Sequence, residues 1–350
     1  MARIWILLLL AVATVSACGN ESNPFDEDEV VDQTPGDGDD DGGDDGSPID
    51  SDRTLPPGTS SPAPDASIFR REGQNDDGGG YVSSISYDSG LDTFTVDGLA
   101  FDGGNAYTRV ELSGAGGAGS VGGYAVYEAP IEYQDAETGT PINQLLHRAI
   151  YGVSTSGQTE FAIVRSGGYV PYGFGGFVYQ RNGSVTLPAT GQATYSGKYA
   201  GLRVFDGTSG LEYTDGDMTI DIDFEDFNAP DGVKAEVTNR NVYDIDGNDI
   251  TDDILAAMDG TPTELPTLHF VVQPGVADTN GEITGSVSSF TYEDGVASEY
   301  EEGTYYAVLS DGADNDLDAE EIVGVIVMTS DDPRIDGRTV QETGGFILYR

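Results

Sequence analysis

The sequence is poor in cysteine and tryptophan. Its one cysteine is Cys18, so no disulfide can form within the chain, and the fold must be held by packing alone. Its one tryptophan is Trp5, inside an apolar N-terminal run. We therefore expect tyrosine and phenylalanine, nineteen and thirteen residues respectively, to supply the large aromatic surfaces of the core.

Lysine is almost absent, and the charge balance is strongly negative. Only Lys198 and Lys234 occur, and the formal net charge of the chain is −47. From residue 67 onward thirteen basic residues face forty-seven acidic ones, which gives a net charge of −34. A field of this sign excludes nucleic acid and anionic lipid headgroups as partners. It favours a cationic partner, or solubility in a salty medium.

Histidine is also scarce, and the sequence lacks the motifs of common hydrolases. His147 and His269 are far apart, and neither a G-x-S-x-G nor an H-E-x-x-H pattern is present. We therefore predict no enzymatic activity, no cofactor and no metal site, with haem ligation by one histidine as the alternative. Two acidic stretches, residues 244–249 and 311–318, suggest calcium, but neither has EF-hand spacing, and we expect solvated turns.

The N-terminus has the pattern of an exported lipoprotein. Arg3 precedes an apolar run over residues 4–13, which is too short to span a bilayer comfortably. Small residues at 15–17 then lead to Cys18, as in a lipobox. The pattern predicts a signal peptide over residues 1–17 and acylation of Cys18, for example with palmitate. Gly19 follows, and without an aspartate there we expect the outer membrane rather than inner-membrane retention.

Residues 18–66 are predicted to form a disordered acidic tether. Residues 21–54 hold fourteen acidic residues and one basic residue, Arg53. Residues 55–64 are rich in proline and serine. Such a composition cannot bury enough apolar surface to offset the entropy of ordering, and like charges extend the chain. We interpret the segment as a spacer, with weak calcium binding as the alternative.

The remainder is predicted to be all-β, with a smaller β-rich subdomain over residues 67–184 and an eight-stranded antiparallel barrel over residues 185–350. Glycine is abundant, and Met218, Ile220 and Ile222 alternate with acidic or polar residues, as in a barrel wall. About eight strands follow residue 193, enough to close a small barrel. Short helices are expected over residues 254–258 and 141–149.

The barrel region resembles transferrin-binding-protein-B-like surface lipoproteins. Residues 187–197 fit the P-x-x-G-x-A-x-Y-x-G pattern that begins the first barrel strand in that family. Residues 319–325 are similar to a second family stretch, and residues 344–350 fit a final strand. The likeness covers residues 185–350, and the acidic insert at 311–318 departs from it. The resemblance implies a C-terminal barrel, surface display, and a host-protein or haem ligand.

An aromatic, glycine-rich segment at residues 167–177 is the candidate ligand contact. Its four aromatic residues are Tyr169, Tyr172, Phe174 and Phe177. Exposed aromatic side chains commonly dominate protein interfaces. The alternative is that these side chains fill the junction between the two predicted subdomains.

These features predict a membrane-anchored, surface-exposed lipoprotein that binds an unknown host or environmental ligand without catalysis. An outer-membrane receptor or a surface-export translocator would be its partner in the envelope. The alternative is a structural envelope lipoprotein without a specific ligand.

Overall fold

The computed structural model describes residues 50–51, 68–76, 78–99, 105–112, 119–135, 137–168, 171–225, 232–260, 262–270, 280–293, 295–312 and 321–350. The predicted signal peptide, Cys18, and the predicted tether except residues 50 and 51 lie outside this range. None of the helices in the described part of the chain has the length and hydropathy to cross a bilayer.

The first half of the chain forms a ten-stranded sheet with a small separate hairpin. Nine strands follow the order β1-β3-β4-β5-β7-β10-β11-β12-β2, with β6 beside β7, and β8 and β9 pair with each other. All pairs are antiparallel except β1 with β3. The strands are β1 (Asp50–Ser51), β2 (Ile68–Arg71), β3 (Ser84–Asp88), β4 (Thr93–Asp97), β5 (Tyr107–Arg109), β6 (Ser120–Val121), β7 (Tyr124–Glu128), β8 (Glu132–Gln134), β9 (Pro141–Asn143), β10 (His147–Val153), β11 (Thr159–Ser166) and β12 (Gly175–Arg181).

The second half closes into an eight-stranded barrel, which confirms the predicted fold class. Each strand pairs antiparallel with the next, and the last strand returns to the first. A short helix lies between the third and fourth strands. The elements are β13 (Gln192–Phe205), β14 (Thr208–Asp223), β15 (Val233–Tyr243), α1 (Thr251–Ala257), β16 (Leu268–Phe270), β17 (Glu282–Glu293), β18 (Val296–Ser310), β19 (Glu321–Asp331) and β20 (Thr339–Tyr349).

Alternation along the barrel strands separates an inner from an outer apolar face. Met218, Ile220 and Ile222 are buried in the barrel interior, as their spacing predicts. Ala193 and Tyr195, from the motif that resembles the family pattern, also point inward at the start of β13. The barrel is therefore filled by side chains rather than hollow.

The outer face of β13, β14 and β18–β20 packs against one face of the ten-stranded sheet. The shared core includes Phe161, Ile163, Phe177 and Tyr179 from the sheet and Leu202, Val308, Val323, Val325 and Ile347 from the barrel. Burying one large apolar side chain contributes roughly 1.5–3 kcal/mol. This interface therefore joins sheet and barrel along one side of the barrel wall.

The opposite face of the sheet carries an aromatic core of its own. Tyr87, Phe94, Tyr127 and Tyr151 are all buried there. Phe94 stacks on Tyr127 with ring centroids 5.6 Å apart. Tyrosine and phenylalanine thus provide the aromatic area that a tryptophan-poor chain needs.

One of the two predicted helices is present and the other is wrong. The helix expected at 254–258 is α1, which begins three residues earlier, at Thr251. Residues 141–149 instead form β9 and the start of β10. β10 pairs with β7 on one side and β11 on the other and is buried throughout, so tertiary pairing overrides the local helical pattern.

Candidate binding surface

The structure places the aromatic candidates at and near the junction of sheet and barrel. Phe177 is 1% exposed and stacks on Tyr306, with ring centroids 6.3 Å apart. Tyr172 is half-buried, and its hydroxyl lies 2.8 Å from the hydroxyl of Thr339. Phe174 is also half-buried and meets Tyr81 edge-on. Tyr169 lies outside the described residues, and ligand contact by this segment stays a prediction.

The histidines and acidic turns do not come together. His147 is buried in the sheet, with Nδ1 3.1 Å from the carbonyl oxygen of Leu145, whereas His269 is exposed on β16. Asp244 accepts the backbone N–H groups of Asp246 and Asn248, so its carboxylate closes its own turn. Within the described ranges no group of three or more His, Cys, Asp or Glu residues could hold a metal ion. Most of the 311–318 stretch lies outside those ranges.

Arginine supplies most of the positive charge, and most of the described arginine side chains form ion pairs with carboxylates of the chain itself. Arg165 is fully buried and reaches both Glu72 and the hydroxyl of Thr343. The pairs that involve the ten-stranded sheet are Arg70 with Glu282 of β17, Arg109 with Asp92, Arg148 with Glu128, and Arg165 with Glu72. Thirteen basic residues against forty-seven acidic ones from residue 67 onward leave an excess of carboxylates.

An ion-pair network occupies one end of the barrel. Arg240 lies 2.7 Å from Glu301 and 3.4 Å from Glu342, and Arg203 lies 2.8 Å from Glu212. The whole network comprises Arg203, Arg240, Arg334 and Arg338 with Glu212, Glu301, Asp332 and Glu342. The network thus matches four basic side chains with four acidic ones.

The two glutamates beside Arg240 differ in acidity. Burial by itself raises the pKa of Glu301, but the charge and hydrogen bonds of Arg240 and the hydroxyl of Ser289 bring that pKa below its usual range. Burial raises the pKa of Glu342, and the more distant contacts of Arg240 and Arg203 offset only part of the effect. The network is therefore anchored on the Arg240–Glu301 pair.

The barrel wall is interrupted beside β16. This strand has three residues, whereas its neighbours β15 and β17 have eleven and twelve. β16 pairs with only two residues of each neighbour. Residues 262–267, which precede this short strand, pair with neither neighbour in the barrel ladder. A gap remains between this loop and the second half of β17, which we call the notch.

The notch is lined by aromatic, proline and acidic side chains. Its cavity volume is about 300 Å³. Tyr292 is 70% exposed and Phe290 37% exposed, and both side chains point outward from β17. The lining residues are Asp259, Gly260, Pro262, Glu264, Leu265, Pro266, Thr267, His269, Phe290, Thr291 and Tyr292.

The surroundings of the notch are negative. Asp259 and Glu264 line one side, and Glu299 stands opposite Phe290 on β18. The described lining contains no lysine or arginine. Arg240 lies behind the wall and is committed to Glu301. An apolar groove with an acidic rim suits a partner that carries both apolar and positively charged groups.

Sequence reasoning missed this surface. It predicted barrel strands in this region but did not single out Phe290 or Tyr292. Their two-residue spacing just before a hairpin turn is the only local signal. Nothing in the sequence indicates that residues 262–267 lie outside the barrel ladder.

Comparison with solved structures finds weak similarities. Transferrin-binding protein B from Haemophilus parasuis gives a TM-score of 0.34 at 11% identity over 73% of this chain and 44% of that chain. The isotype 1 protein from Neisseria meningitidis gives 0.31 at 11% identity over 63% and 35%. A surface lipoprotein gives 0.25 at 12% identity over 53% and 75%.

The chain spans less than half the length of either transferrin-binding protein. No family model and no curated protein matches it. Similarities of this size establish neither a family nor a ligand.

Proposed function

We propose that this chain is a lipid-anchored, non-enzymatic binding module of the cell envelope and that its partner is a cationic protein. The observation that carries the binding role is the notch, an exposed aromatic groove with an acidic rim. Exposed aromatics at an interface supply large contact area, and charge complementarity steers association.

The anchor is supported by the sequence. The short apolar run, the small residues at 15–17 and Cys18 fit a lipobox, and the acidic stretch that follows suits a spacer. Several acyl chains on one residue would hold the protein stably at a membrane. We place it at the outer membrane, facing the cell surface, where a receptor or translocator would be its neighbour.

In the proposed non-enzymatic role, the buried cluster of hydroxyls around Glu321 is structural. The hydroxyls of Ser154, Ser156 and Thr159 all donate to one carboxylate oxygen of Glu321, at 2.9, 2.7 and 3.1 Å. These contacts join a turn of the sheet to the barrel and are buried.

One experiment tests the anchor. Cells expressing the full chain are fed an alkyne-bearing palmitate, and the protein is examined for label. We expect label on the wild type and none on the Cys18→Ala variant. Label retained by that variant would contradict acylation at this residue. Protease treatment of intact cells then reports whether the folded part faces outward.

A second experiment tests the binding role. The full chain, purified in mild detergent, is immobilised and exposed to extracellular protein mixtures at increasing salt. We expect capture of a basic protein that is lost in the Phe290→Ala/Tyr292→Ala double variant and kept in Leu91→Ala, a matched change at an exposed residue of the sheet. If the double variant captures the same protein as the wild type, or if neither captures any protein, the structural envelope role is favoured.

A further inference from the structure

The edge of β17 beside the notch carries backbone groups that pair with no described strand, and Gly260 lies beside the carbonyl oxygen of Tyr292. In an antiparallel pair, alternate residues direct their N–H and C=O groups toward the partner strand and the others direct them away. Glu293 pairs with Val296 across the two-residue turn, and Thr291 pairs with Ser298. Tyr292 lies between these two residues, and Phe290 precedes Thr291. Both therefore direct their backbone groups away from β18, toward the notch.

The loop across the notch does not use these groups. Among the described residues, no backbone hydrogen bond joins Phe290 or Tyr292 to residues 262–267. The last residue of β17 to meet β16 is Ser288, opposite His269. About five residues of β17, from 289 to 293, thus run past the end of β16 as an edge strand inside an otherwise closed barrel. Such an edge is a template for an added strand.

We infer that the notch binds an extended, positively charged peptide segment of a partner protein, which adds to the edge of β17 as a strand. Main-chain hydrogen bonds to Phe290 and Tyr292 would supply affinity in this mode, and alternate side chains would supply specificity. This inference rests on the proposed binding function and deepens it by naming the mode and the chemistry of the ligand.

The outward side chains of the added strand lie beside Phe290 and Tyr292. Strand residues alternate between faces, so every second ligand residue meets this aromatic pair and the acidic rim. Asp259 and Glu264 border one side of that strand, and Glu299 and Glu302 lie on β18, one strand beyond β17. We therefore expect lysine or arginine at alternate positions of the ligand, with aliphatic residues between them.

The negative charge around the notch favours a basic peptide of another protein over segments of this chain. Residues 21–54 hold fourteen acidic residues and one basic one, so the predicted tether is repelled by the acidic rim. A second copy of the chain brings a folded part with a net charge of −34. A basic segment of another protein is the occupant that the rim attracts.

The test uses short synthetic peptides and the full chain in mild detergent. The probe peptide alternates arginine and valine over six residues, and a second peptide has glutamate in place of arginine. Two further probes carry N-methyl groups on alternate backbone nitrogens, one on the edge that would face β17 and one on the opposite edge. Affinity is measured by calorimetry, and amide protection by hydrogen exchange.

We expect the arginine peptide to bind and the glutamate peptide not to bind. N-methylation on the edge facing β17 should weaken binding by about tenfold or more, because two hydrogen bonds of about 1 kcal/mol each are lost. N-methylation on the other edge should leave affinity within about twofold. Peptide binding should slow exchange at the amides of Phe290 and Tyr292, whereas Thr291 and Glu293 are already bonded to β18.

Matched variants locate the effect. Tyr292→Ala and Glu264→Gln should each weaken binding of the arginine peptide. Ile335→Ala changes an exposed apolar residue on the β19–β20 hairpin and should leave that binding unchanged. Equal affinity of both N-methylated probes, or binding without protection at Phe290 and Tyr292, would overturn strand addition while leaving the protein-capture result intact. Protection of those amides by self-association alone would assign the notch to a second copy.

Discussion

The two sides of the barrel wall are built differently. Toward the sheet, long strands pair along their length, and outward side chains such as Leu202, Val323 and Ile347 enter a shared apolar core. On the side away from that core, β16 has only three residues, and the notch replaces the rest of a strand. The first side holds the molecule together, and the second leaves edge backbone and aromatics accessible.

This difference separates stability from recognition. Residues of the packed side have no exposed surface to offer a ligand, whereas Tyr292 and Phe290 contribute little to the core. The ion-pair network lies behind the interrupted side, with Arg240 donating to the carbonyl oxygen of Pro266 in the loop that borders the notch. A buried arginine therefore holds the loop 262–267 in place by a hydrogen bond, where no strand pairing does so.

Replacing Arg240 with alanine should have the largest effect on stability. It leaves Glu301 and Glu342 buried without their shared cation, and removing one partner of a buried pair typically costs about 3–5 kcal/mol. Urea unfolding measures the loss. The control is Lys198→Ala, which removes a solvent-exposed pair with Asp217 and should cost less than about 1 kcal/mol. Equal losses for the two variants would contradict the structural role of the network.

Replacing Gly345 with alanine should disturb the packed side of the wall. A Cβ at this position would lie 2.2 Å from Cε2 of Phe161, a ring enclosed by the shared core. Overpacking of this kind costs about 1–3 kcal/mol. Thermal unfolding should show that the Phe161→Leu change partly rescues Gly345→Ala, because the smaller side chain relieves the clash. If the losses of stability of the two single variants simply add in the double variant, residues 345 and 161 are not in steric contact.

Replacing Glu301 with glutamine should change how stability depends on pH. Because the pKa of Glu301 is lowered in the fold, its ionised form stabilises the protein above the unfolded pKa of about 4.3. That contribution is lost as pH falls through the folded pKa. The free energy of unfolding of the wild type should therefore exceed that of the variant most near neutral pH. The difference between the two should narrow below about pH 4.

Urea unfolding at several pH values checks this, with Glu302→Gln as the control, because Glu302 is the exposed neighbour. A gap that stays constant with pH would show that the charge of Glu301 is not its source.

Replacing Tyr292 with alanine should have the smallest effect on stability. Its side chain is largely exposed, and exposed substitutions away from special features usually stay within about 0.5 kcal/mol. A loss of more than about 2 kcal/mol in urea unfolding would mean that the notch is part of the scaffold, and the separation of the two sides would fail.

Local patterns predicted the barrel well and the candidate site poorly. The alternation around Ile220 determines which face is buried, and turn residues such as Asn280 and Gly281 separate strands, so the eight-stranded wall was predictable. The aromatic segment at 167–177 was noticed, but which of its side chains would be buried depends on a barrel strand more than a hundred residues away.

The sequence by itself determined the all-β class, the negative charge, the absence of disulfides and the pattern that predicts acylation at Cys18, because these depend on composition or on neighbouring residues. Tertiary structure alone decided the pairing of Arg240 with Glu301, sixty-one residues apart, and the start of β16 only at Leu268. The physical reason is that ion pairs and strand edges form between segments distant in the chain, and closure of the barrel selects which of them meet.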